Sequence, residues 1–168
     1  AFLSKNNKIE TIILDVNLQN FASNKIICDN IFKASPDTVV FCNYLWNIER
    51  HLSLAEDIKR INENIKIYFG GPEINAESFV FNEKNVNVDF FVCGEGEWFF
   101  KRFFENNAEK YKKLINGNIL YIQPQDELVE MKDVVEPYTS GFLKSSYGNS
   151  VFIEITRGCH FRCSYCYY

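Results

Sequence analysis

Three cysteines lie close together near the end of the printed sequence, in the stretch TRGCHFRCSYCYY at residues 156–168. Cys159, Cys163 and Cys166 follow the spacing C-x₃-C-x₂-C. Thiols this close together do not pair comfortably as disulfides, and one of the three would be left over. The spacing therefore favours a metal ion or a metal cluster held by thiolates.

Zinc and an iron–sulfur cluster are the two candidates for such a site. Zinc would need a fourth ligand, and the nearest candidate, His160, directly follows Cys159, which makes chelation of one tetrahedral ion awkward. Iron–sulfur clusters are bound by cysteine thiolates, and three cysteines would leave one iron of a four-iron cluster open to a substrate or cosubstrate. The sequence favours a [4Fe-4S] cluster, and zinc stays open as the alternative.

Glycine-rich turns form a second group of candidate functional residues. The stretches CNYLWN (42–47), GGPE (70–73) and GEGE (94–97) each follow or end an apolar, strand-like segment. Glycine lets a ligand approach the backbone closely and permits turns with positive φ. Neither a phosphate-binding P-loop nor the G-x-G-x-x-G fingerprint is present. Because Glu95 and Glu97 would repel a bare phosphate unless their side chains turn away, we expect a larger ligand held by shape and backbone contacts.

The order of elements predicts how these turns come together. Apolar strands alternate with segments of helical spacing, a pattern typical of a parallel sheet with helices on both faces. We therefore predict an α/β, flavodoxin-like fold, in which ligands bind beyond the carboxyl ends of the strands. The predicted parallel strands cover residues 9–16, 38–44, 65–70 and 88–93, and the predicted helices cover 18–35, 47–64, a short stretch near 76–83 and a segment after 97.

Changes along the chain predict three parts. Residues 1–107 form the α/β domain, and its opening stretch AFLSKNNK reads as the end of a helix, so we expect the first strand of the sheet to be missing. Residues 108–149 contain Pro124, Pro137, Gly141 and Gly148 and read as a connector with little core of its own, despite a strand predicted at Asn118–Ile122. Residues 150–168 begin with a strand, SVFIEITRG, that leads directly into the cysteine stretch.

Composition narrows the classes of function. The formal net charge is −4 and no basic stripe is present, so the sequence does not predict direct nucleic-acid binding. No apolar run approaches the roughly 20 residues of a membrane span, and the N-terminus has no signal-peptide pattern. Cys28, Cys42 and Cys93 lie singly in apolar segments and are expected to be small buried residues. Together these features predict a cytoplasmic protein with reduced thiols and no membrane partner.

The motifs resemble those of a known enzyme family. RGCHFRCSYC is similar to the C-x₃-C-x₂-C motif of the radical S-adenosylmethionine (SAM) enzymes, with Tyr165 as the aromatic residue before the last cysteine. SVFIEITRGC resembles the first strand of their catalytic barrel. The GGPE and GEGE turns and the string PDTVVFCNYLWNIE resemble the cobalamin-binding (B12-binding) domain that precedes this barrel in one subgroup.

This resemblance implies the cofactors and the residues that bind them. Cys159, Cys163 and Cys166 would hold a [4Fe-4S] cluster whose open iron binds SAM, and Tyr165 would lie near the SAM adenine. Reductive cleavage of SAM would give a 5′-deoxyadenosyl radical, with a flavodoxin or ferredoxin as electron donor. The cobalamin site would consist of residues from the three turns: Asn43, Tyr44, Gly70, Gly71, Pro72, Glu73, Gly94, Glu95 and Gly96.

The resemblance also implies an enzyme that performs methyl transfer or another radical modification. Its substrate, a small molecule or a macromolecule, is not indicated by the sequence. Most of the barrel would lie beyond Tyr168, so this part of the protein is expected to be inactive alone.

The sequence does not indicate which residue would coordinate cobalt, and it leaves open a function other than catalysis. The D-x-H-x-x-G motif that supplies an axial histidine in other B12 proteins is absent, and His51 is expected on the surface of a helix. The residues also fit a protein of a different class, a non-catalytic flavodoxin-like binding module with a structural zinc site.

Overall fold

The computed structural model describes residues 9–76, 87–141, 153–157, 161 and 163–165. Thr11–Leu128 forms one compact unit, and the described residues outside it group separately. The helices are α1 (Val16–Phe21), α2 (Asn24–Ala34), α3 (Ile48–Ile61) and α4 (Gly96–Phe104), and the strands are β1 (Thr38–Cys42), β2 (Lys66–Gly70), β3 (Phe90–Cys93), β4 (Lys112–Ile115) and β5 (Asn118–Ile122). Short 3₁₀ turns occupy Ala108–Tyr111 and Met131–Asp133.

The five strands form one mostly parallel sheet in the order β1-β2-β3-β5-β4. The pairs β1–β2, β2–β3 and β3–β5 are parallel, and only β4 runs antiparallel to its neighbour β5. The sequences of β1 and β3, TVVFC and FFVC, are rich in β-branched and aromatic residues, which favour strands. This architecture confirms the predicted flavodoxin-like α/β fold.

Helices cover both faces of the sheet. On one face, Phe69 and Phe91 are fully buried in a core that includes Ile27 of α2 and Ile58 of α3. On the other face, Phe99 of α4 packs against Tyr68 and Tyr121, with ring centroids 5.9 and 5.0 Å apart. Side chains alternate between the faces along each strand, so Tyr68 and Phe69 enter different layers. Complete burial of one such apolar side chain contributes roughly 1.5–3 kcal/mol.

The first predicted strand is wrong, because residues 9–15 form no strand and α1 begins at Val16. A strand needs a hydrogen-bonding neighbour. The outer edge of β1 pairs with no strand in the described part of the chain, and Val40 there is 51% exposed. This exposed edge agrees with the expectation that the first strand of the sheet is missing, which stays a prediction.

The helix predicted over residues 18–35 is divided in two. α1 ends at Phe21, and α2 begins anew with Ser23 as its N-cap, whose hydroxyl accepts a hydrogen bond from the Ile26 N–H. A hydroxyl that satisfies a free N–H of a helix start favours a new helix at that point. The apolar spacing is the same on both sides of this break, so periodicity alone did not reveal it.

Residues 112–122 lie in the predicted connector and extend the sheet as β4 and β5, and the strand predicted at Asn118–Ile122 is confirmed as β5. Leu120 is fully buried and Tyr121 is 3% exposed. The turn between the two strands has positive φ at Asn116 (48°) and Gly117 (83°). Asn-Gly with positive φ at both positions is the preferred two-residue hairpin turn. The compact unit therefore continues past the predicted limit at residue 107, to Leu128.

The strand predicted over residues 150–158 is not seen in its described part. Residues 153–157 have no strand assignment, and Ile153 and Ile155 are 64% and 84% exposed. An extended segment becomes a strand only when neighbours satisfy its backbone groups, and no described strand pairs with this segment. The short helix predicted near 76–83 lies outside the described residues, apart from Ala76. None of the helices in the described ranges has the length and hydropathy to cross a membrane.

We predict that Leu120→Ala lowers the free energy of unfolding by about 2–5 kcal/mol, because it removes a fully buried side chain from the sheet. Leu114→Ala in β4 is the matched control, since Leu114 is 72% exposed and its loss should cost about 0.5 kcal/mol or less. Urea unfolding of both variants measures the difference. Equal, small effects at the two positions would contradict the placement of β5 inside the sheet.

Candidate functional site

The glycine-rich turns meet at one edge of the sheet. β1, β2, β3 and β5 run parallel, so their carboxyl ends all reach the same edge. The turns at this edge contain the six residues that we predicted to converge: Asn43, Tyr44, Gly70, Gly71, Gly94 and Gly96. Their convergence is confirmed, and so is the nearby position of Pro72, Glu73 and Glu95 in the same turns. The assignment of all these residues as ligand contacts stays a prediction.

Asn43 joins the first two turns. Its side chain is completely buried, and its Nδ2 donates to the carbonyl oxygens of Phe41 (3.2 Å) and Gly70 (3.1 Å). Its backbone N–H donates to the Gly70 oxygen at 2.7 Å, and its carbonyl accepts from the Glu73 N–H at 3.1 Å. A buried amide with these bonds is satisfied within the protein, so Asn43 shapes the two turns from inside.

His51 of α3 forms a hydrogen bond with the oxygen of the Asn43 side-chain amide. Its Nδ1 lies 2.8 Å from Asn43 Oδ1. Asn43 Nδ2 already faces two carbonyl oxygens, so Oδ1 is the acceptor and His51 Nδ1 carries the proton. The imidazole ring also packs on Phe41, with ring centroids 4.7 Å apart.

The environment of His51 keeps it neutral. Burial, with a smaller contribution from the neighbouring charge of Arg50, lowers the pKa of His51 to about 4. The expectation that His51 lies on the surface is wrong, since its side chain is half-buried. Helical periodicity placed His51 at the border of the buried stripe of α3. Its hydrogen-bond partner Asn43 lies eight residues earlier, after β1, and this contact holds the imidazole against the protein.

Gly71 must be glycine for two reasons. Its φ is +97°, a conformation that L side chains rarely adopt. A Cβ atom at this position would also lie 2.6 Å from the backbone nitrogen of Asn43. At Gly96, by contrast, a Cβ would meet nothing within 4 Å.

Gly94 is restricted in the same way by a residue that the sequence did not indicate. Its φ is +124°, and a Cβ would lie 2.4 Å from Oε1 of Gln123, which follows β5. Gln123 Nε2 donates to Glu95 Oε2 at 2.8 Å. The Glu95 carboxylate is therefore turned towards the protein, which removes much of the repulsion that two glutamates at this turn would produce.

The turn after β1 presents apolar side chains to solvent. Leu45 and Trp46 are 77% and 79% exposed, and the Trp46 ring stacks on Tyr44 with centroids 4.6 Å apart and an interplanar angle of 9°. The Asn47 side chain holds the turn closed by accepting from the Tyr44 N–H at 2.8 Å and donating to the Cys42 oxygen at 3.2 Å. We did not include Leu45 and Trp46 among the site residues. Two large apolar residues in a strand-to-helix turn, where polar residues are usual, were the signal.

The single cysteines differ in burial. Cys28 and Cys93 are buried, as expected, and burial raises the pKa of the Cys93 thiol to about 11, so it stays protonated. The expectation for Cys42 is wrong, because Cys42 ends β1 at the open edge and is exposed. Among the described residues, no group of three or more His, Cys, Asp or Glu side chains could hold a metal ion.

The predicted cluster ligands are only partly described. Cys159 and Cys166 lie outside the described residues, while Cys163 is exposed and Tyr165 is 91% exposed. The assignment of Cys159, Cys163 and Cys166 to a metal, and of Tyr165 to SAM, therefore stays a prediction.

Comparison with known proteins identifies the family of the segment that contains the glycine-rich turns at this edge of the sheet. A family model described as B12 binding domain matches residues 1–103. The chain is 24% identical over 148 residues to the cobalamin-dependent radical SAM methyltransferase TokK of Streptomyces tokunonensis, covering 78% of this chain and 22% of that protein. It is 23% identical over 148 residues to the 2-(S-pantetheinyl)-carbapenam-3-carboxylate methyltransferase of Streptantibioticus cattleyicolor, with coverage of 78% and 22%. The chain thus spans about a fifth of the length of these relatives.

We predict that the free energy of unfolding falls as the pH falls from about 6.5 to about 4, in part because of His51. In this window the unfolded chain takes up a proton at His51 and the folded chain does not, so acidification favours unfolding. His51→Gln keeps a polar group beside Asn43 and removes this titration. Urea unfolding at several pH values should give a shallower dependence for the variant, since all other titrating groups are shared. Identical pH dependences would contradict a neutral, half-buried His51.

Proposed function

The chain belongs to the B12-binding domain family, and we propose that it binds cobalamin at the carboxyl edge of its sheet, as the N-terminal part of a radical SAM enzyme. The match of residues 1–103 to the B12 binding domain is the observation that carries the proposal. The structure supports it with an edge that suits a large ligand. Open α/β sheets bind ligands in this position, beyond the carboxyl ends of their strands.

Backbone groups form the floor of the proposed cobalamin site. Gly71 and Gly94 have no side chain, and both have the positive φ that turns the backbone sharply. These glycines let the turns after β2 and β3 pack directly on Asn43 and Gln123, so the proposed site has a floor of backbone. Asn43 holds the first two turns in place from inside the protein and is not expected to contact the ligand through its amide.

Apolar side chains supply the rest of the surface. Leu45 and Trp46 project from the turn after β1 with more than three quarters of their surface exposed. An aromatic side chain can bury 150–250 Å² against a flat partner. The planar corrin ring of cobalamin is a partner of that kind, so we propose that Trp46 contributes to its binding by contact area.

Cobalt coordination is not assigned to a histidine of the described chain. His51 uses Nδ1 to hold Asn43 and packs on Phe41, so its role is to shape the edge. When bound, cobalamin supplies methyl-transfer chemistry, while the protein provides its position and excludes competing reactions. The relatives named as methyltransferases make methyl transfer the favoured reaction.

We further propose that Cys159, Cys163 and Cys166 hold a [4Fe-4S] cluster that binds SAM in the complete enzyme. The C-x₃-C-x₂-C spacing supports this, together with the similarity to a protein named as a cobalamin-dependent radical SAM methyltransferase. Tyr165 is proposed to contact SAM, and a flavodoxin or ferredoxin to donate the electron. The proposed location is the cytoplasm, where thiols remain reduced.

Hydroxocobalamin titration of the full-length protein tests the cofactor assignment. We expect a change in the cobalamin absorption spectrum on binding, and weaker binding by about tenfold or more for Gly71→Ala, because the added Cβ forces the first two turns apart. Gly117→Ala in the turn between β4 and β5 is the matched control: its φ is also positive (+83°), but nothing lies within 4 Å of its new Cβ, so it should bind within about twofold of the wild type. Circular dichroism of both variants checks that they fold. Absence of any spectral change with the wild type would contradict the proposal.

Anaerobic reconstitution of the full-length protein tests the cluster. We expect about four iron atoms per chain and SAM-dependent formation of 5′-deoxyadenosine. Replacement of Cys159, Cys163 and Cys166 together by alanine should abolish both and leave hydroxocobalamin binding intact, because the cobalamin edge lies in a separate part of the chain. Stoichiometric zinc without iron uptake would contradict the radical SAM assignment and favour a binding module with a structural zinc site.

A further inference from the structure

The end of β5 lies directly beside the turn after β3. The Gln123 backbone N–H donates to the carbonyl oxygen of Cys93 at 2.9 Å, which continues the parallel pairing of β5 with β3 by one residue. Gln123 lies outside the matched segment 1–103 and in the part of the chain that the sequence indicated as a connector.

Three hydrogen bonds fix the orientation of the Gln123 amide. Its Oε1 accepts from the backbone N–H of Glu95 at 2.7 Å. Its Nε2 donates to Glu95 Oε2 at 2.8 Å and to the Glu127 carbonyl oxygen at 2.7 Å. A backbone N–H can only donate and a carboxylate can only accept, so the amide cannot be reversed without losing these bonds. Gln123 thus binds both the backbone and the side chain of Glu95.

The same side chain determines the space available to the turn. A Cβ on Gly94 would lie 2.4 Å from Gln123 Oε1 and 2.6 Å from Gln123 Cβ. The turn after β3 therefore packs on Gln123 with its backbone, and its path depends on the position of this one side chain.

Glu127 anchors the same segment to the helix that follows the turn. Its Oε2 accepts from Trp98 Nε1 at 3.0 Å and from Arg102 Nη2 at 2.9 Å, both on α4, and from the Tyr111 hydroxyl at 2.7 Å. Hydrogen bonds from Tyr111, Trp98 and Arg102 lower the pKa of Glu127 to about 2, so it remains ionised. Residues 123–127 thus hold both the turn and the first turns of α4.

We propose that Gln123 and Glu127 are an integral part of the ligand-binding edge, with Gln123 as the positioning residue that sets the Gly94–Glu97 turn for cobalamin. This inference rests on the proposed cobalamin binding. It extends the site beyond residues 1–103, so a protein cut at the end of that segment would lose the support of its third turn.

The test is a charge exchange between positions 95 and 123 in the full-length protein. Gln123→Glu keeps the size of the side chain, loses both donated bonds and places two carboxylates together. The double variant Glu95→Gln/Gln123→Glu removes the repulsion and restores a donor between these two side chains, while the bond to the Glu127 carbonyl stays lost. Glu95→Gln alone completes the cycle, and Gln125→Ala is the matched control, because Gln125 is exposed in the same segment.

Two quantities are measured for each variant: hydroxocobalamin affinity by absorbance titration, and amide hydrogen exchange of residues 94–97 without ligand. Loss of bonds to a charged group corresponds to about tenfold or more in affinity. We expect Gln123→Glu to bind at least about tenfold more weakly and to exchange faster at 94–97, and the double variant to recover part of both, through the restored contact between positions 95 and 123. Gln125→Ala should match the wild type.

Unchanged affinity and exchange in Gln123→Glu would overturn the inference. A loss of affinity that the double variant does not recover would also overturn it, because it would indicate general destabilisation instead of a specific contact. A wild-type protein that fails to bind hydroxocobalamin would contradict the proposed function itself, and hydrogen exchange at 94–97 would still decide whether Gln123 sets the turn.

Discussion

The buried amide of Asn43 is the contact on which the edge of this domain depends. A buried polar side chain is costly unless its hydrogen bonds are made, so the residues around it are constrained. The amide donates to two carbonyl oxygens and accepts from His51, while its own backbone bonds to the turn after β2. The close approach of that turn leaves no room for a Cβ at Gly71, and the half-buried His51 must stay neutral.

The parallel sheet then repeats the same solution one strand further along. In each case a side-chain amide from the end of one strand bonds to the turn that follows its neighbour: Asn43 to Gly70, and Gln123 to Glu95. In each case a glycine with positive φ lies next to the bonded residue, at 71 or 94, where a side chain would collide with the amide residue. The edge is thus made of backbone held by amides on its inner side. Such a surface suits a ligand recognised by shape more than by charge.

These contacts determine the direction in which the Glu95 carboxylate points and the charge of His51, two side chains near the edge. Glu95 is turned to Gln123, and His51 carries no charge near neutral pH. Solvent meets instead the apolar side chains of Leu45 and Trp46. These features agree with the B12-binding family of the chain and with the proposed binding of cobalamin.

The sequence alone determined the class of fold, the strands β1, β2 and β3, helix α3 and the three glycine-rich turns, because hydrophobic period and turn residues act within a few positions along the chain. It also predicted the strand at Asn118–Ile122, now β5, and contained the Asn116-Gly117 hairpin signal, although Pro124 and Pro137 favoured a connector. Tertiary structure decided that residues 9–15 form no strand, that His51 is drawn inward and that Gln123 belongs to the site. Each of these depends on partners brought together by the sheet: Gln123 and Glu95 are 28 residues apart, and Asn43 and Gly70 are 27 apart. No local pattern encodes such a contact, because a hydrogen bond between distant residues exists only once the strands have paired.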